Sequence, residues 1–558
     1  MTGEPVAIAV GHRWVGLAWP GRSTSIATDD LPPTLAEISE NGPRWVWWSA
    51  RGSAAAFDDV GARPAACWDL AAVHRLLTGR SRDDPAAVWA ELHDLPPPAA
   101  VSPEPTLLDV GDADAGPLDP DGQLSADWQR GTWAETAEGT RRWAELALAS
   151  YDVQRQRILD LPDPRRESRN PSLRLLTAHT ESIAVLLAVE LEHDGLPLDR
   201  DAMTELLAGV IGPRPVDEGH ATAQRRARDE QVLRHFPGTA ADLRNPAQVR
   251  ELLARVGLEV PDTRSWRLEP HAASLPPVAA LLAWRKAERL ATTYGWSWLD
   301  NHVGADNRLR GTWSAAEGAG RMAAGAGLHN MPAELRSGVR ADDGWRLVRA
   351  DLGQVEPRVL AVVSGDTALA EAARADDMYA PVAAALGCER PVAKVAVLAA
   401  MYGQTSGTAG AALRDMDRTY PRAMAYLRDA EQSGRDGVDM RTYGGRLLRL
   451  ARDADDERFP PSAWGRFARN AVVQGAAAEL FKAWAGTVRA GLAGKGSAGR
   501  IVLCLHDELL LHVPADEAAD TVELVKHALD ATAHWWAAGS GVRFVADVSV
   551  GDSWAAAH

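Results

Sequence analysis

The N-terminal part of the chain alternates short apolar runs with turn residues, a pattern typical of a small α/β domain. Residues 5–19 contain two apolar runs that predict short strands, residues 44–48 predict a third strand, and residues 68–77 predict a helix. Residues 95–124 are rich in Pro, Asp, Gly and Ala, which predicts a loop or a surface insertion.

From residue 133 onward, apolar residues recur at helical spacing. The helix predicted over residues 181–193 ends at Asp194-Gly195, because glycine readily takes the left-handed conformation that ends a helix. Several more helices are predicted between residues 200 and 300. The middle of the chain is therefore predicted to be helical.

The pattern changes again at residue 345. Residues 345–351 predict a strand, and a helix is predicted to follow from about residue 356. Helices then continue to about residue 490, with a turn-rich break at 442–449. Residues 500–505 and 508–513 predict the two strands of a hairpin, and a helix follows Pro514. The C-terminal part is thus predicted to mix a few strands with many helices.

Length and composition limit the class of protein. A chain of 558 residues is too long for one core and predicts two to four domains. No apolar run reaches the length of a membrane span, and the first residues lack the basic and then apolar pattern of a signal peptide. The three cysteines stand at unrelated spacings, which predicts neither a disulfide framework nor a zinc site. We therefore expect a cytoplasmic protein.

The distribution of charge matters more than its total. The net charge of −16 argues against a nucleic-acid ligand at first sight. Residues 1–140, however, carry 9 Lys+Arg against 21 Asp+Glu, so most of the acidity belongs to the N-terminal part. The rest of the chain is nearly balanced and can carry basic surfaces. Because the chain has 55 Arg and only 5 Lys, a single lysine is more informative than a single arginine.

Two acidic segments stand where predicted strands end or turn. Asp351 closes the strand predicted over residues 345–351, and Asp507 lies with His506 in the predicted hairpin turn. Two aspartates that folding brings together can hold two divalent metals about 4 Å apart for in-line phosphoryl transfer. The alternative, that each aspartate simply ends a strand, remains open from these two segments alone.

A helix between these segments carries a face of unusual chemistry. Arg390, Lys394, Leu398 and Tyr402 recur every four residues and so lie along one side of a helix. Two cations followed by an apolar and an aromatic side chain suit a ligand with a polyphosphate at one end and a flat ring at the other. An exposed helix with an incidental lysine is the alternative interpretation.

The order of these three segments resembles the family A DNA polymerases, the bacterial DNA polymerase I family. Asp351, Gln354, Glu356 and Arg358 stand at the places of that family's motif A. Arg390, Lys394, Tyr402 and Gly403 have the spacing of motif B, and His506-Asp507-Glu508 matches motif C. Weaker matches extend the resemblance to about residues 180–558, and they include Arg321, Asn330, Arg466, Asn470 and Gln474.

The resemblance implies a catalytic centre. Asp351 and Asp507 would bind two Mg²⁺ ions, with Glu508 as a further acidic group near them. Lys394, together with Arg390, would hold the phosphates of the nucleotide. Gln354 belongs to the same nucleotide site, and Glu356 would exclude the ribose 2′-hydroxyl.

The resemblance also implies contacts to the bases and to DNA. Leu398 and Tyr402 would pack on the incoming base and the template position. The residues expected to contact primer–template DNA are Arg321, Asn330, Arg466, Asn470, Gln474 and His506. Their alternatives stay open: Arg466 could be ordinary surface, Asn470 and Gln474 could bridge helices, and His506 could be a turn residue.

The sequence departs from the family at several positions. Leu352-Gly353 and Leu398 replace residues that are usual in motifs A and B, so nucleotide discrimination could differ. The N-terminal part resembles the family's 3′–5′ exonuclease domain, but of its metal carboxylates only Asp69 remains, where Ser53 and Ala147 stand near the others. One carboxylate cannot hold two metals, so we expect a degenerate domain that serves as a scaffold.

The resemblance predicts an α+β multidomain fold, a right-hand polymerase preceded by a ribonuclease H-like α/β domain. We expect the exonuclease-like domain over residues 1–175 and the polymerase domain over 176–558. Within it the thumb is expected at about 180–310, the fingers at 366–449, and the palm at 311–365 and 450–558. No 5′-nuclease domain is expected.

The function expected from the resemblance is template-directed DNA synthesis in replication or repair by a nucleoid-associated monomer. Its substrates would be primer–template DNA and deoxynucleoside triphosphates. A catalytically weak DNA-binding repair accessory and a polymerase with residual 3′–5′ exonuclease activity are the alternative hypotheses.

Overall fold

The computed structural model describes residues 3–58, 60–99, 101, 116–167, 169–403, 409–451 and 460–557. Half of the loop predicted over residues 95–124 lies outside these ranges. The described strands are, in chain order, β1 Pro5–Val10, β2 Trp14–Trp19, β3 Arg22–Ala27, β4 Arg44–Trp47, β5 Cys67–Asp69, β6 Leu196–Pro197, β7 Arg308–Leu309, β8 Trp313–Glu317, β9 Arg321–Ala324, β10 Trp345–Leu352, β11 Met440–Arg441, β12 Leu447–Leu448, β13 Arg500–Cys504, β14 Glu508–Pro514 and β15 Ala546–Gly551.

Helices account for most of the remaining described residues. In chain order they are α1 Leu31–Glu40, α2 Ala50–Ser53, α3 Ala55–Asp58, α4 Leu70–Thr78, α5 Pro85–Leu92, α6 Ala126–Gln129, α7 Ala137–Leu159, α8 Leu173–Asp194, α9 Arg200–Ile211, α10 Glu218–Leu233, α11 Pro246–Arg255, α12 Ser265–Leu268, α13 Pro276–Thr293, α14 Trp296–His302, α15 Val355–Ser364, α16 Thr367–Ala372, α17 Tyr379–Leu386, α18 Arg390–Tyr402, α19 Ala409–Thr419, α20 Pro421–Asp436, α21 Pro461–Gly494 and α22 Ala518–Trp536.

The chain divides into two compact units. The first comprises Met1–Asp194, Trp313–Ala323 and Gly344–Val550, and the second comprises Gly195–Thr312, Ala324–Asp343 and Gly551–His558. Each unit has an apolar core of its own.

The N-terminal α/β part of the first unit is built on a five-stranded sheet in the order β3-β2-β1-β4-β5. β1 runs antiparallel to β2 and parallel to β4, which in turn runs parallel to β5. Along β1, Val6 and Ile8 enter one core cluster whereas Ala7 and Ala9 enter another, because successive side chains of a strand point to opposite faces. Both faces of the sheet are therefore covered.

Two predictions for this part needed correction. Residues 67–69 form strand β5, and the helix predicted from residue 68 begins only at Leu70. The reason is that the Asp69 carboxylate accepts a hydrogen bond from the Ala72 amide at 2.8 Å and so caps the helix. Strand β3 was not predicted, since its polar sequence lies at the sheet edge and lacks an apolar alternation.

The second sheet of the first unit has the order β13-β14-β10-β15. β14 pairs antiparallel with both β10 and β13, which confirms the predicted hairpin and brings together segments far apart in the chain. α15 follows β10, as predicted, and it begins after Gln354, whose φ is 56°. This sheet is buried along most of β10 and β14.

A buried ion cluster anchors the long helix α21 to α8. The Lys482 ammonium lies 2.8 and 3.0 Å from the two oxygens of Glu181, and Arg446 also pairs with Glu181. Burial lowers the pKa of Lys482 to about 8, and Glu181 opposes this shift. Removing Glu181 would take this partner from two buried cations, so the cluster joins α8, α21 and the turn between β11 and β12.

The second unit is a helical assembly. α10, α11 and α13 pack around a core that includes Phe236, Leu252 and Trp284. Asn245 caps α11 by accepting a hydrogen bond from the Ala247 amide at 3.0 Å, and Pro246 occupies the first helical turn. In the described part of the chain, no helix is long and apolar enough to cross a membrane.

Candidate active site

The β10–β14 pairing places the two predicted metal aspartates side by side. Asp351 stands opposite Glu508 in the ladder, and Asp507 precedes Glu508 in the hairpin turn. The Leu352 amide donates to the Asp507 carbonyl oxygen at 2.7 Å, and the Leu505 amide donates to the Glu508 carbonyl oxygen at 2.8 Å. The backbone therefore fixes both carboxylates at one end of the sheet.

The carboxylates of this cluster repel one another, which raises their pKa values. Burial, followed by the charge of Asp507, raises the pKa of Asp351 to about 6. Burial raises the pKa of Asp507 too, with the charges of Glu508 and Glu356 adding to the shift. A divalent cation would relieve this unfavourable concentration of negative charge.

The donor set fits Mg²⁺ bound partly by the protein and partly by a ligand. Among the described residues, no group of three or more His, Cys, Asp or Glu side chains forms a complete metal cage. Mg²⁺ commonly takes one or two protein carboxylates, while water and substrate phosphates complete its octahedral coordination. Asp351 and Asp507 supply hard oxygen ligands of this kind.

Arg349 lies in this cluster, although the sequence analysis gave it no role. Its Nη2 atom donates to Asp351 Oδ2 at 2.7 Å and lies 2.8 Å from Glu508 Oε2. The available signal was its position two residues before Asp351, which puts both side chains on the same face of β10. Glu508, expected near the metals, is thus held in a buried ion pair.

Two other predicted residues, Arg321 and Tyr402, contact Glu356. Arg321 Nη2 donates to Glu356 Oε1 at 2.6 Å, and the Tyr402 hydroxyl donates to Glu356 Oε2 at 2.9 Å. Burial, together with the charge of Glu356, raises the pKa of Tyr402 to about 12, so its hydroxyl remains a donor. The Glu356 side chain is held at the first turn of α15 by residues from β9 and α18.

The predicted face of α18 exists, but its first arginine is engaged by a residue that sequence reasoning missed. Arg390 Nε lies 2.5 Å from Asp377 Oδ2, and Gln354 Nε2 donates to Asp377 Oδ1 at 2.7 Å. Asp377 therefore links the segment after β10 to the start of α18. Lys394 is exposed one turn further along, and Leu398 is half-buried.

The predicted DNA-contacting residues of α21 share one face. Arg466 is exposed, while Asn470 and Gln474 are partly buried at four-residue intervals. The Asn470 Oδ1 atom is buried and has no hydrogen-bond partner among the described residues. The residue after Gln474 is Gly475. A side chain is disfavoured there, because a Cβ would lie 2.9 Å from the Ala319 carbonyl oxygen.

The remaining predicted contacts are distributed between the two units. His506 is exposed beside Asp507, and burial, together with Arg321, lowers its pKa. Asn330 lies in the second unit, where it is exposed and its carbonyl oxygen accepts from Arg289 Nη2 at 3.0 Å.

Asp69 occupies a different environment from the two site aspartates. Its side chain is fully buried, and besides capping α4 it accepts a hydrogen bond from the Ala50 amide at 2.7 Å. Burial raises the pKa of the Asp69 carboxyl. Both oxygens thus serve the local backbone.

Comparison with known proteins decides the family. The model of "DNA polymerase family A" matches residues 218–556, which is more than half of the chain and includes the whole β10–β14 site. The chain belongs to DNA polymerase family A. Its described architecture is that of the family's palm, fingers and thumb, in agreement with a solved polymerase structure.

Several curated relatives are bacterial enzymes named DNA polymerase I. The Chloroflexus aurantiacus protein is 27% identical over 407 residues, which cover 65% of this chain and 42% of that protein. The Pseudomonas aeruginosa protein is 26% identical over 429 residues, which cover 70% of this chain and 45% of the relative. The chain thus spans less than half the length of these family A relatives.

A solved structure shares the fold. It is the polymerase domain of Pol1 from M. smegmatis in complex with DNA primer-template and dNTP. The TM-score is 0.68 at 22% sequence identity, and the match covers 100% of this chain and 96% of the other. This similarity confirms the predicted α+β multidomain fold of a family A polymerase.

Proposed function

We propose that this family A protein is a template-directed DNA polymerase that adds deoxynucleotides to a primer 3′-hydroxyl. The observation that carries the proposal is the convergence of Asp351 and Asp507 at one end of the β13-β14-β10-β15 sheet, where burial and the charges of neighbouring carboxylates raise both pKa values. Membership of the family and the similarity to a polymerase complex with primer-template and dNTP support it.

We assign the metal site to Asp351 and Asp507. Two Mg²⁺ ions held there would lower the pKa of the primer hydroxyl and neutralise the leaving pyrophosphate. His506 would lie near the primer terminus, beside these carboxylates. Glu508 contributes through its ion pair with Arg349.

The nucleotide site would lie along α18. Lys394 and Arg390 would bind the phosphates, and Lys394 would also stabilise the charge that develops on the leaving group. Leu398 and Tyr402 would contact the base pair. Glu356, fixed by two hydrogen bonds, would obstruct a ribose 2′-hydroxyl, and Gln354 supports this site through Asp377.

The duplex would lie along the polar face of α21. Asn470 and Gln474 can donate to minor-groove acceptors, which are similar for all correct base pairs and so report pair geometry rather than sequence. Arg466 and Arg321 would add positive charge. We also assign a DNA contact to Asn330. We infer that the protein acts as a monomer on cytoplasmic, nucleoid-associated DNA.

The decisive experiment is primer extension with Mg²⁺. We expect full extension by the wild-type protein and at least a thousandfold loss in Asp507→Asn, because the substitution removes a metal ligand. Asp530→Asn, the same change on the exposed face of α22, should extend normally. Tight primer–template binding without extension by the wild type would instead favour a DNA-binding accessory.

We propose further that residues 1–175 form a non-catalytic scaffold preceding the polymerase domain of residues 176–558. Support comes from Asp69, whose two oxygens are occupied by backbone amides. A labelled single strand should therefore remain intact with Mg²⁺ or Mn²⁺. Digestion that Asp69→Ala abolishes would overturn this assignment and indicate residual exonuclease activity.

A further inference from the structure

Arg349 is a buried cation inside the acidic cluster, and the proposed reaction does not use it. Arg349 is only 7% exposed, and it lies on β10 among apolar neighbours. It shares a strand face with Asp351, while Glu508 faces Asp351 across the ladder. The Arg349 guanidinium therefore interacts with both acidic segments, through Asp351 and through Glu508.

One nitrogen atom makes both contacts. Arg349 Nη2 lies 2.7 Å from Asp351 Oδ2 and 2.8 Å from Glu508 Oε2. The Glu508 side chain is 6% exposed and that of Asp351 is 34% exposed. The guanidinium therefore contacts a buried carboxylate in Glu508 and a more exposed one in Asp351. Asp351 Oδ1 is the oxygen that this contact leaves for another ligand.

The wider surroundings are strongly acidic. Asp547 on β15 and Asp507 in the hairpin turn also act on Asp351. Glu356 on α15 acts on Asp507, and Arg321 on β9 is the opposing cation. Arg349 is thus the positive charge in direct contact with Asp351, and its removal would change the local charge by one full unit.

We propose that Arg349 is a positioning residue that sets the affinity of the Asp351–Asp507 pair for divalent cations. It fixes one oxygen of Asp351 and neutralises Glu508. The cation therefore binds Asp351 Oδ1 and Asp507, and Glu508 does not act as a third free carboxylate. The inference deepens the proposed function and rests on it only in taking these two aspartates as the metal ligands.

Two opposing effects follow from this arrangement. The fixed positive charge repels an approaching cation and weakens its binding. The same contact restrains the Asp351 carboxylate, as hydrogen-bonded neighbours of metal ligands generally do. Loss of Arg349 should therefore tighten cation binding while it loosens the geometry of the site.

The test is Mn²⁺ binding, measured by electron paramagnetic resonance of the free ion without DNA or nucleotide. We expect Arg349→Gln to lower the Kd by about tenfold, since it removes a unit charge next to the ligands. Arg349→Lys, which keeps the charge, should stay within about threefold of the wild type. Arg346→Gln, on the opposite face of the same strand, serves as the control and should change nothing. An unchanged or higher Kd in Arg349→Gln overturns the proposal.

A double substitution separates this role from direct ligation by Glu508. Glu508→Gln alone should raise the Kd, because Arg349 then acts on Asp351 without competition. Arg349→Gln combined with Glu508→Gln removes both charges and should return the Kd to within about threefold of the wild type. If Glu508 were itself a ligand, the double variant would bind at least about tenfold more weakly, and the proposal would fail.

The readouts keep the two proposals apart. Thermal unfolding identifies variants that do not fold. If Arg349→Gln is one of them, the double variant decides, because it leaves neither charge of the Arg349–Glu508 pair unpartnered, and a Kd at least about tenfold above that of the wild type overturns the inference. Loss of Mn²⁺ binding in Asp507→Asn identifies the site. Primer extension tests the polymerase separately, so Mn²⁺ binding tests the role of Arg349 even in a protein that does not extend primers.

Discussion

At the scale of single residues, the site depends on polar side chains whose partners lie far away in the sequence. Glu356 is held by Arg321 and Tyr402, and Asp377 links Gln354 to Arg390. The positions of Glu356 and Tyr402 were predicted from motif spacing. Their mutual hydrogen bond was not, since spacing along a chain gives no distance between separate elements.

Glu356 offers a test of sugar selection. Replacing it by alanine should remove the obstruction to a ribose 2′-hydroxyl, so the ratio of ribonucleotide to deoxynucleotide incorporation should rise by about tenfold or more. Single-nucleotide extension with each triphosphate measures this ratio. Tyr402→Phe, which removes only one hydrogen bond to Glu356, should raise the ratio less than Glu356→Ala; an unchanged ratio in Glu356→Ala would contradict the assigned role.

Arg358 is a structural residue despite its place in motif A. Its buried guanidinium donates to the carbonyl oxygens of five residues, namely Gly353, Ala373, Ala375, Asp376 and Arg543. Arg358→Met would remove the guanidinium donors from these carbonyl oxygens, and we expect a loss of about 3–5 kcal/mol in the free energy of unfolding. Urea denaturation measures it. Arg374→Met, at an exposed arginine nearby, should cost less than about 0.5 kcal/mol.

At the scale of elements, the residues and the end of helix α21 depend on what the helix packs against, as well as on their spacing in the sequence. Its 34 residues carry the predicted duplex contacts and, nearer the C-terminal end, Lys482, which pairs with the buried Glu181 of α8. The helix was predicted to end near residue 490 and continues to Gly494. Ends of helices depend on what the last turn meets, so sequence patterns locate them less well than helix interiors.

Two glycines of α21 form a matched pair. At Gly475 an added Cβ would lie 2.7 Å from Thr442 Cγ2 and 2.9 Å from the Ala319 carbonyl oxygen, whereas at Gly494 it would meet no atom within 4 Å. Gly475→Ala should lower the free energy of unfolding by about 1–3 kcal/mol through overpacking. Gly494→Ala should leave it unchanged or raise it by up to about 1 kcal/mol. Thermal and urea unfolding of both variants compare them; equal effects would show that the close approach is not rigid.

At the scale of the whole molecule, the fold follows the order of the three sequence motifs along the chain. The family match begins at residue 218, whereas the solved polymerase domain superposes over the full chain. The N-terminal α/β part thus lies within the region of fold similarity, although it precedes the residues that the family model matches. Apolar alternation suffices to specify such a layered sheet, and many sequences satisfy it.

The acid stability of the N-terminal part is predicted to depend on His74. Burial lowers the pKa of His74 to about 4 from its usual 6.5. Between these values the unfolded chain binds a proton that the folded chain does not, so stability falls as the pH falls from about 6.5 to about 4. The full effect is about 3 kcal/mol at the acid end of that window.

Urea denaturation across this pH range tests the prediction. His74→Gln removes the titrating group and should flatten the pH dependence between about pH 6.5 and 4. His527→Gln, at an exposed position on α22, should leave the slope as in the wild type. A His74→Gln variant that loses stability with acid as steeply as the wild type would assign the effect to other groups.

The sequence by itself determined the order of elements, the hairpin around Asp507, and the three motifs that define the family. These are local features, since strand alternation, helical spacing and motif order are all properties of neighbouring residues. Tertiary structure alone decided which side chains touch: Arg349 with Glu508, Asp377 with Arg390, and the backbone amides that occupy Asp69. Such contacts join segments that only the packing of the sheet and helices brings within hydrogen-bonding distance.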